Sequence, residues 1–483
     1  MRAIHYRTAT ELAAMVRQGE IGCLELLDVF LGRVDTYNEQ LNAIIWTDIE
    51  GARAQARDAD NAVKSGQPLG PLHGVPMTVK ESYQLAGSPT TWGIPALKDN
   101  ITETTALLIE RLQSAGAIIF GKTNVPLHLA DWQTFNAIYG TTNNPWNTTR
   151  TPGGSSGGSA AVLAAGLAGL EVGSDIGSSI RNPAHYCGVF GHKPTYGIVP
   201  PRGQATPGVV APADISVVGP LARSADDLRL TLDVVSGADL VDDIGWQLHL
   251  PEPQQKSLSD FRVAVKLSDP CCEVDHEYTG ILQGLVDKLA AAGATVKETE
   301  PDIDTRRLHD VYLALLRSAT STRISDDELA RWLEIATNAD PDDTSYFPAT
   351  ARANTLSHRD WLNLNNERHK LRLAFEEFFT DWDILLCPVA SSAAWPHDQE
   401  GERHTRTIPV NGKQQPATDQ LFWAGYSCLV YLPSTVGPAG FTKDGLPVGY
   451  QAIAGNYRDK TAIRFAQLIE QDLIGFAPPP GYD

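Results

Sequence analysis

The sequence feature that most constrains the fold is a glycine–serine block at residues 151–181, TPGGSSGGSAAVLAAGLAGLEVGSDIGSSIR. Small residues predict a helix over Ala160–Leu170, with one glycine–serine turn before it and a second at Gly173–Ser179. Flexible linkers share this composition, but they are not followed by a closely packed Ala/Gly/Leu helix and another turn of the same kind. The block therefore predicts an ordered, packed segment that presents two serine-bearing turns.

Strand and helix patterns alternate along most of the chain. Apolar runs predict strands at Val75–Val79, Ala117–Phe120 (closed by Gly121), Val263–Val265 and Thr295–Lys297. Amphipathic patterns predict helices at Ala106–Ala115, Ser224–Val235, Ile281–Ala292 and Lys460–Leu473. This alternation favours an α/β fold. We expect residues 66–483 to form a single large domain with a central mixed, mostly parallel sheet covered by helices.

Residues 1–65 are expected to form an N-terminal helical segment that wraps around the domain formed by residues 66–483. Thr8 and Glu11 have the spacing of a capping box, and Gly19 is placed to end the first helix. Two further helix patterns follow before residue 65. The polar, proline-rich segments 340–357 and 390–420 are expected to be surface excursions.

Charge and cysteine content narrow the class of protein. The net charge is −19, from 39 Lys and Arg against 58 Asp and Glu, which disfavours nucleic acid as a partner. None of the six cysteines forms a CxxC pair, and no run of 18 apolar residues occurs. We expect a cytoplasmic enzyme with a small-molecule substrate and no membrane partner; its assembly state stays open, with a homodimer as one candidate.

The residues in and around the glycine–serine block could in principle form a phosphate-binding loop, an esterase nucleophile or a metal site. A phosphate-binding loop lacks its Lys-Ser/Thr ending. Gly153–Gly157 matches GxSxG, but polar residues 147–152 precede it instead of a strand, so an α/β-hydrolase-like esterase stays open only as an alternative. That esterase would need a base among histidines such as His369, His397 and His404. His185, Cys187 and His192 match no common metal-ligand spacing, so no metal and no cofactor is predicted.

A lysine can also activate a serine. Amide hydrolysis needs a nucleophile, a base and N–H donors for the oxyanion, and the turn Asp175–Ser179 can supply a hydroxyl and successive N–H groups. Burial lowers the pKa of a lysine and makes its neutral amine available as a base. Lys80 directly follows the apolar run Val75–Val79. Taken alone, its commoner role would be that of a surface lysine at a strand end.

Together these segments resemble the amidase signature family. The resemblance rests on GPLHGVPMTVKE (70–81), FGKTNVP (120–126), YGTTNNPWNTTRTPGGSSGGSAA (139–161), GSDIGSSIRNPAHYCGVFGHKPTYGIVP (173–200), GPLARSADDL (219–228) and LPVGYQAIAG (446–455). It implies an amidohydrolase without cofactor, with Lys80 as base, Ser155 as a bridging serine held by a cis peptide bond, and Ser179 as nucleophile. Backbone N–H groups of Ile176, Gly177, Ser178 and Ser179 would hold the oxyanion.

The nucleophile turn departs from the family pattern. The family usually has Gly-Gly-Ser, whereas this chain has Gly177-Ser178-Ser179. We assign Ser179 as nucleophile because the family nucleophile directly precedes Ile-Arg. A positive φ at residue 178 would cost a serine about 1–2 kcal/mol, so we expect a negative φ there.

The resemblance also suggests the substrate pocket. Leu129 and Trp132 are expected in one wall, and residues 422–426 (FWAGY) are expected to close the other side. These residues suit amides, anilides or acyl hydrazides with an apolar or aryl body, and some family members are hydrazidases. The glutaminase component of a tRNA-dependent amidotransferase complex remains an alternative, weakly disfavoured because Asn182 replaces its usual Gln. A catalytically inactive binding protein is disfavoured by the intact Lys80, Ser155 and Ser179.

Overall fold

The computed structural model describes residues 3–483, and over that range helices pack on an eight-stranded and a three-stranded sheet, with two further two-stranded sheets, β4-β5 and β12-β13. The α-helices are α1 (Ala9–Gln18), α2 (Cys23–Leu41), α3 (Ile49–Lys64), α4 (Leu107–Ser114), α5 (Gly157–Ala164), α6 (Arg181–Cys187), α7 (Ala225–Val235), α8 (His276–Ala291), α9 (Thr305–Thr320), α10 (Asp326–Asn338), α11 (Tyr346–Asn354), α12 (His358–Asp381), α13 (Leu421–Cys428) and α14 (Asp459–Asp472). The strands are β1 (Ile44–Thr47), β2 (Pro76–Lys80), β3 (Ile118–Thr123), β4 (Phe135–Asn136), β5 (Gly140–Thr141), β6 (Glu171–Asp175), β7 (Phe190–Lys193), β8 (Val217–Ala222), β9 (Arg262–Val265), β10 (Thr295–Glu298), β11 (Ile384–Pro388), β12 (Thr407–Val410), β13 (Lys413–Pro416), β14 (Ser434–Phe441) and β15 (Pro447–Ile453).

The large sheet is mixed, with eight strands in the order β10-β9-β11-β15-β14-β7-β8-β6. This confirms the predicted α/β class. Only the β10–β9 and β9–β11 pairings are parallel, and the other pairings in the sheet are antiparallel. The expectation of a mostly parallel sheet is therefore wrong. Short connections, such as the turn between β14 and β15, force neighbouring strands to run antiparallel.

A three-stranded sheet, β1-β3-β2, carries Lys80 at the end of its strand β2. An isolated parallel bridge between Met77 and Leu170 connects β2 with the residue preceding β6. The two strands that bear Lys80 and the nucleophile turn are thus neighbours. β3 runs on to Thr123, past the end that Gly121 predicts for it.

The N-terminal segment packs into the same core as the rest of the chain. The Thr8–Glu11 capping box is formed, and Gly19 ends α1 in a left-handed conformation, as predicted. Leu12 and Phe30 are fully buried in the main core, and β1 pairs with β3. The division of the chain at residue 65 stays a prediction from the sequence.

Two predicted surface excursions are more ordered than expected. Segment 340–357 contains α11, and segment 390–420 contains the β12–β13 hairpin. Trp395 is buried in a small apolar cluster, which holds the second segment against the body. Polar composition identified exposed residues here but missed the apolar residues between them. None of the helices within residues 3–483 is long and apolar enough to cross a membrane.

Candidate active site

Lys80 lies among three serine hydroxyls. Its Nζ is 2.7 Å from Ser155 Oγ, 2.9 Å from Ser156 Oγ and 3.0 Å from Ser174 Oγ. The Gly154–Ser155 peptide bond is cis, as the resemblance implied for the bridging serine. A neutral amine can donate two hydrogen bonds and accept one, so three hydroxyl partners satisfy it fully.

Burial lowers the pKa of Lys80 from 10.5 to about 7, against the opposing charges of Asp175 and Glu171. The side chain is fully buried, and water therefore does not stabilise its ammonium form. Lys122 is buried as well, and burial lowers its pKa to about 8. Lys122 contacts Ser88, Pro89 and Thr90 instead of the glycine–serine turns, so contact with Ser155 is what distinguishes Lys80.

The second serine turn is braced by a buried ion pair. Asp175, at the end of β6, accepts hydrogen bonds from the N–H groups of Ser178 (2.9 Å) and Ile180 (3.1 Å). Arg181 Nη2 lies 2.9 Å from Asp175 Oδ1, and both side chains are fully buried. Burial by itself would raise the pKa of Asp175, but Arg181 outweighs it and holds that pKa at about 2.

Ser179 is positioned by the first serine turn. The Ser156 N–H donates to the Ser179 carbonyl over 3.1 Å, so the two turns are joined directly. Ser179 is 6% exposed and lies in the wall of the main cavity, whereas Ser155 is 1% exposed behind it. The structure therefore gathers the predicted lysine and both serine turns at one place, with Ser179 facing the space that a substrate would enter.

The peptide groups after Asp175 are fixed in orientation. Tyr312 Oη donates to the Ile176 carbonyl (3.0 Å), and Trp132 Nε1 donates to the Gly177 carbonyl (2.8 Å). Because a trans peptide points its N–H opposite to its C=O, the Gly177 N–H points away from Tyr312. Among residues 3–483 we find no acceptor for the N–H groups of Ile176 and Gly177. Both groups are thus available to a substrate oxygen.

Ser178 differs from expectation in two respects. Its N–H donates to Asp175, so its predicted part in the oxyanion hole does not fit this geometry. Its φ is +73°, whereas a negative value was expected. The turn keeps the left-handed conformation that suits glycine, and this conformation costs a serine about 1–2 kcal/mol. The Ser178 hydroxyl is also buried, and no residue in the described range 3–483 forms a hydrogen bond with it.

A cavity of about 670 Å³ opens in front of Ser179. Leu129 and Trp132 lie in its wall, as expected from the sequence. The aromatic residues of 422–426 do not: Phe422, Trp423 and Tyr426 are fully buried in the core on α13, and of that helix Leu421 alone lines the cavity. That prediction is wrong because large aromatic side chains pack in cores more often than in pockets.

The side chains considered for a metal site or an esterase triad do not come together in the structure. His185 Nδ1 accepts from the Gly449 N–H, and His192 lies between Thr435 and Asp459. Cys187 donates to the Pro152 carbonyl, so these three side chains have separate structural partners. Within residues 3–483 no group of three metal-binding side chains converges. In the same range no histidine is hydrogen-bonded to Ser155 or Ser179, as an esterase triad would require.

The comparison with known proteins agrees with this geometry. Residues 25–463 match the family model described as Amidase. The chain belongs to the amidase signature family. It is 31% identical to an acylamidase of Rhodococcus erythropolis (97% of this chain, 95% of that protein). It is 33% identical to an indoleacetamide hydrolase of Bradyrhizobium diazoefficiens (96% and 86%). It is also 30% identical to a glutamyl-tRNA(Gln) amidotransferase component from Natranaerobius thermophilus (99% of each chain).

Solved structures show the same fold. The structure of 6-aminohexanoate cyclic dimer hydrolase complexed with substrate superposes with a TM-score of 0.80 at 28% identity, over 99% of this chain and 100% of that one. A bacterial aryl acylamidase superposes with a TM-score of 0.82 at 22% identity, over 98% and 97%. The family match and the two amide-hydrolysing relatives show that the protein is an amidase-family hydrolase acting on amides.

The sequence alone did not indicate several residues of the site. Ser156 and Ser174 contact Lys80, and Gln204 Nε2 donates to Ser174 (3.1 Å). The serines lie inside the glycine–serine turns, so spacing could have suggested them. Tyr312, which fixes the Ile176 carbonyl, lies on α9 in a stretch without any motif.

Proposed function

We propose that the protein hydrolyses carboxylic amides through an acyl-enzyme on Ser179, with Ser155 and Lys80 as the proton relay. The observation that carries this proposal is the 2.7 Å contact between Lys80 Nζ and Ser155 Oγ at the end of a buried strand. A lysine of ordinary pKa would be protonated at neutral pH and could not accept a proton. Burial removes that obstacle.

The relay runs through hydroxyl groups. Neutral Lys80 accepts the Ser155 proton, Ser155 accepts the Ser179 proton, and Ser179 Oγ attacks the amide carbonyl. The N–H groups of Ile176 and Gly177 stabilise the negative charge that develops on the carbonyl oxygen. The proton returns through Ser155 to the leaving nitrogen, which departs as the amine. Water then attacks the acyl-enzyme along the same relay and releases the acid.

The substrates we propose are amides, anilides and acyl hydrazides with an apolar or aryl body. Trp132, Leu129 and Leu421 give the cavity apolar walls, which favours such groups over small polar amides. A hydrazide requires no change of mechanism, because hydrazine leaves in place of the amine.

Turnover of a panel tests this proposal. Anilides, primary aryl amides, acyl hydrazides, esters and glutamine should be compared by kcat/KM with wild type and Ser179→Ala. We expect hydrolysis of anilides, amides or hydrazides by wild type alone. The matched control is Ser392→Ala, because Ser392 is also nearly buried but hydrogen-bonds to Ala393. Unchanged turnover by Ser179→Ala would contradict the proposal.

A glutaminase working inside an amidotransferase complex is the second candidate function. It is supported by the 30% identity to the Natranaerobius amidotransferase component over nearly the full length. Asn182 departs from the Gln that is usual in such glutaminases; here its Oδ1 accepts the Gly154 N–H (3.3 Å). Glutamine as the preferred substrate in the panel, together with partner chains that co-purify with the protein, would favour this candidate over a free-standing amidase.

A further inference from the structure

Three arginines line the cavity, and within residues 3–483 none of them is paired with a carboxylate. Arg317 lies in the last turn of α9, Arg323 lies in the short turn that follows, and Arg403 lies before β12. All three share the cavity wall with Ser179. Within residues 3–483 none of them forms an ion pair with Asp or Glu. The chain has 58 acidic residues against 39 basic ones, so a shortage of acids does not explain this.

Arg317 and Arg403 converge on one phenol. Both donate to Tyr346 Oη, and the Arg317 guanidinium also lies 5.5 Å from the centre of the Tyr346 ring. Burial alone would raise the pKa of Tyr346, but the two arginines outweigh it and lower that pKa. Arg317 Nε is buried and finds no hydrogen-bond partner among residues 3–483. Arg317 and Arg403 therefore carry positive charge that no ion pair within residues 3–483 balances, and Arg317 Nε can donate a further hydrogen bond.

Arg323 lies nearer the reacting groups. It donates to the His128 carbonyl (3.2 Å) and lies over the Trp92 ring at 5.0 Å. Burial lowers the pKa of Arg323, and no acidic group in the described part of the chain offsets this effect. Its positive charge also acts on Lys80, adding to the effect of burial on the pKa of that lysine. An anion bound at Arg323 would thus lie within electrostatic reach of the catalytic lysine.

The acidic residues in the same wall are already engaged or exposed. Asp131 pairs with Arg406 at 2.5 Å. Glu328 accepts the Ser325 N–H (2.8 Å) at the start of α10, where it completes a capping box. Glu402 is exposed. Arg403 acts electrostatically on Asp131, but within residues 3–483 none of the three acids forms an ion pair with Arg317, Arg323 or Arg403.

We infer that these arginines bind an anionic group, so that the preferred substrates are amides carrying a carboxylate remote from the scissile bond. A guanidinium binds a carboxylate with paired hydrogen bonds, and it does so more strongly where water is excluded. The apolar wall around Trp132 would hold the body of the substrate, and the arginines would hold its charged end. This inference rests on the proposed function, because it names the substrate class of the same site.

Matched ligands test the inference without turnover. Binding to the Ser179→Ala protein is measured by calorimetry for two pairs that differ in one charge. N-phenylglutaramate is compared with N-phenylpentanamide, which tests a carboxylate on the acyl side. 4-Acetamidobenzoate is compared with 4-methylacetanilide, which tests a carboxylate on the amine side. We expect the anionic member to bind at least tenfold more tightly in at least one pair.

Charge variants locate the effect. Added singly to Ser179→Ala, Arg317→Gln, Arg323→Gln and Arg403→Gln should reduce the preference for the anionic member. Arg317→Lys should keep part of the preference for the anionic member, because lysine keeps the positive charge. Unchanged binding of the neutral ligand would show that a variant is still folded. Arg331→Gln is the control, because Arg331 is exposed on α10 and does not line the cavity. Equal binding of both members in both pairs, or a preference that survives in all three Gln variants, would overturn the inference.

Turnover separates this inference from the proposed function. If wild type hydrolyses neutral anilides through Ser179 but shows no preference for the anionic member, the inference fails and the function stands. If the anionic ligands bind preferentially but no amide acylates Ser179, the proposed function fails and the anion site stands.

Discussion

Replacing Lys80 by methionine should change how stability depends on pH. Lys80 has a pKa of about 7 in the folded protein and 10.5 as its ordinary value, so between these pH values the unfolded chain binds the extra proton. Wild type therefore loses stability as pH falls from about 10.5 to 7. The total is about 5 kcal/mol, at roughly 1.4 kcal/mol for each pH unit. Methionine carries no proton and removes this dependence.

The assay is urea unfolding of both proteins at several pH values from 8 to 10, above the range where the buried Glu171 titrates (pKa about 7). The stability of Lys80→Met minus that of wild type should rise by about 3 kcal/mol as pH falls from 10 to 8. Loss of the three serine contacts lowers the stability of the variant by the same amount at each pH. Lys64→Met, at an exposed lysine ending α3, provides the baseline. A difference that does not change with pH would refute the depressed pKa.

Three further substitutions test the turn around Ser179. Ser178→Gly should raise the free energy of unfolding by about 1–2 kcal/mol in urea, because relief of strain and of an unpaired hydroxyl exceeds the cost of glycine entropy. Tyr312→Phe should lower kcat about fivefold to tenfold with little change in KM, because the Ile176 carbonyl loses one hydrogen bond. Asp175→Asn should destabilise the protein by about 3–5 kcal/mol in the same urea assay, because it leaves Arg181 buried and unpaired.

For each of the three substitutions, one result would contradict the prediction. A less stable Ser178→Gly would mean that the serine hydroxyl has a partner that offsets the strain. An unchanged kcat for Tyr312→Phe would mean that the orientation of the peptide at residue 177 does not depend on this contact. A stable Asp175→Asn would show that neighbouring groups satisfy Arg181.

The sequence indicated Lys80, Ser155 and Ser179 as candidate residues because each lies in or beside a short, recognisable segment. Ser155 and Ser179 lie in recognisable glycine–serine turns, so the motif could place them. The apolar run before Lys80 alone favoured a surface lysine, and only the family resemblance pointed to its role. Tyr312 and the cavity arginines could not be placed in this way. They reach the site from distant helices and turns, and only tertiary packing, such as that of α9 against α13, brings them there.

The errors also have physical causes. The mostly parallel sheet was inferred from helix–strand alternation, but short turns join β14 to β15 and force an antiparallel pairing. The sign of φ at Ser178 was inferred from the residue type, whereas the hydrogen bonds from the turn to Asp175 set the backbone conformation. In both cases a short connection or a hydrogen bond within the turn decided the geometry, and residue type or helix–strand alternation alone did not reveal it.

Trapping the acyl-enzyme tests the central claim most directly. Wild type incubated with a fluorophosphonate probe, or quenched during turnover of an anilide, is digested and analysed by mass spectrometry. We predict a single adduct on Ser179, lost in Ser179→Ala and formed far more slowly in Lys80→Met. An adduct on Ser155, Ser156 or Ser178 with Ser179 unmodified would contradict the account.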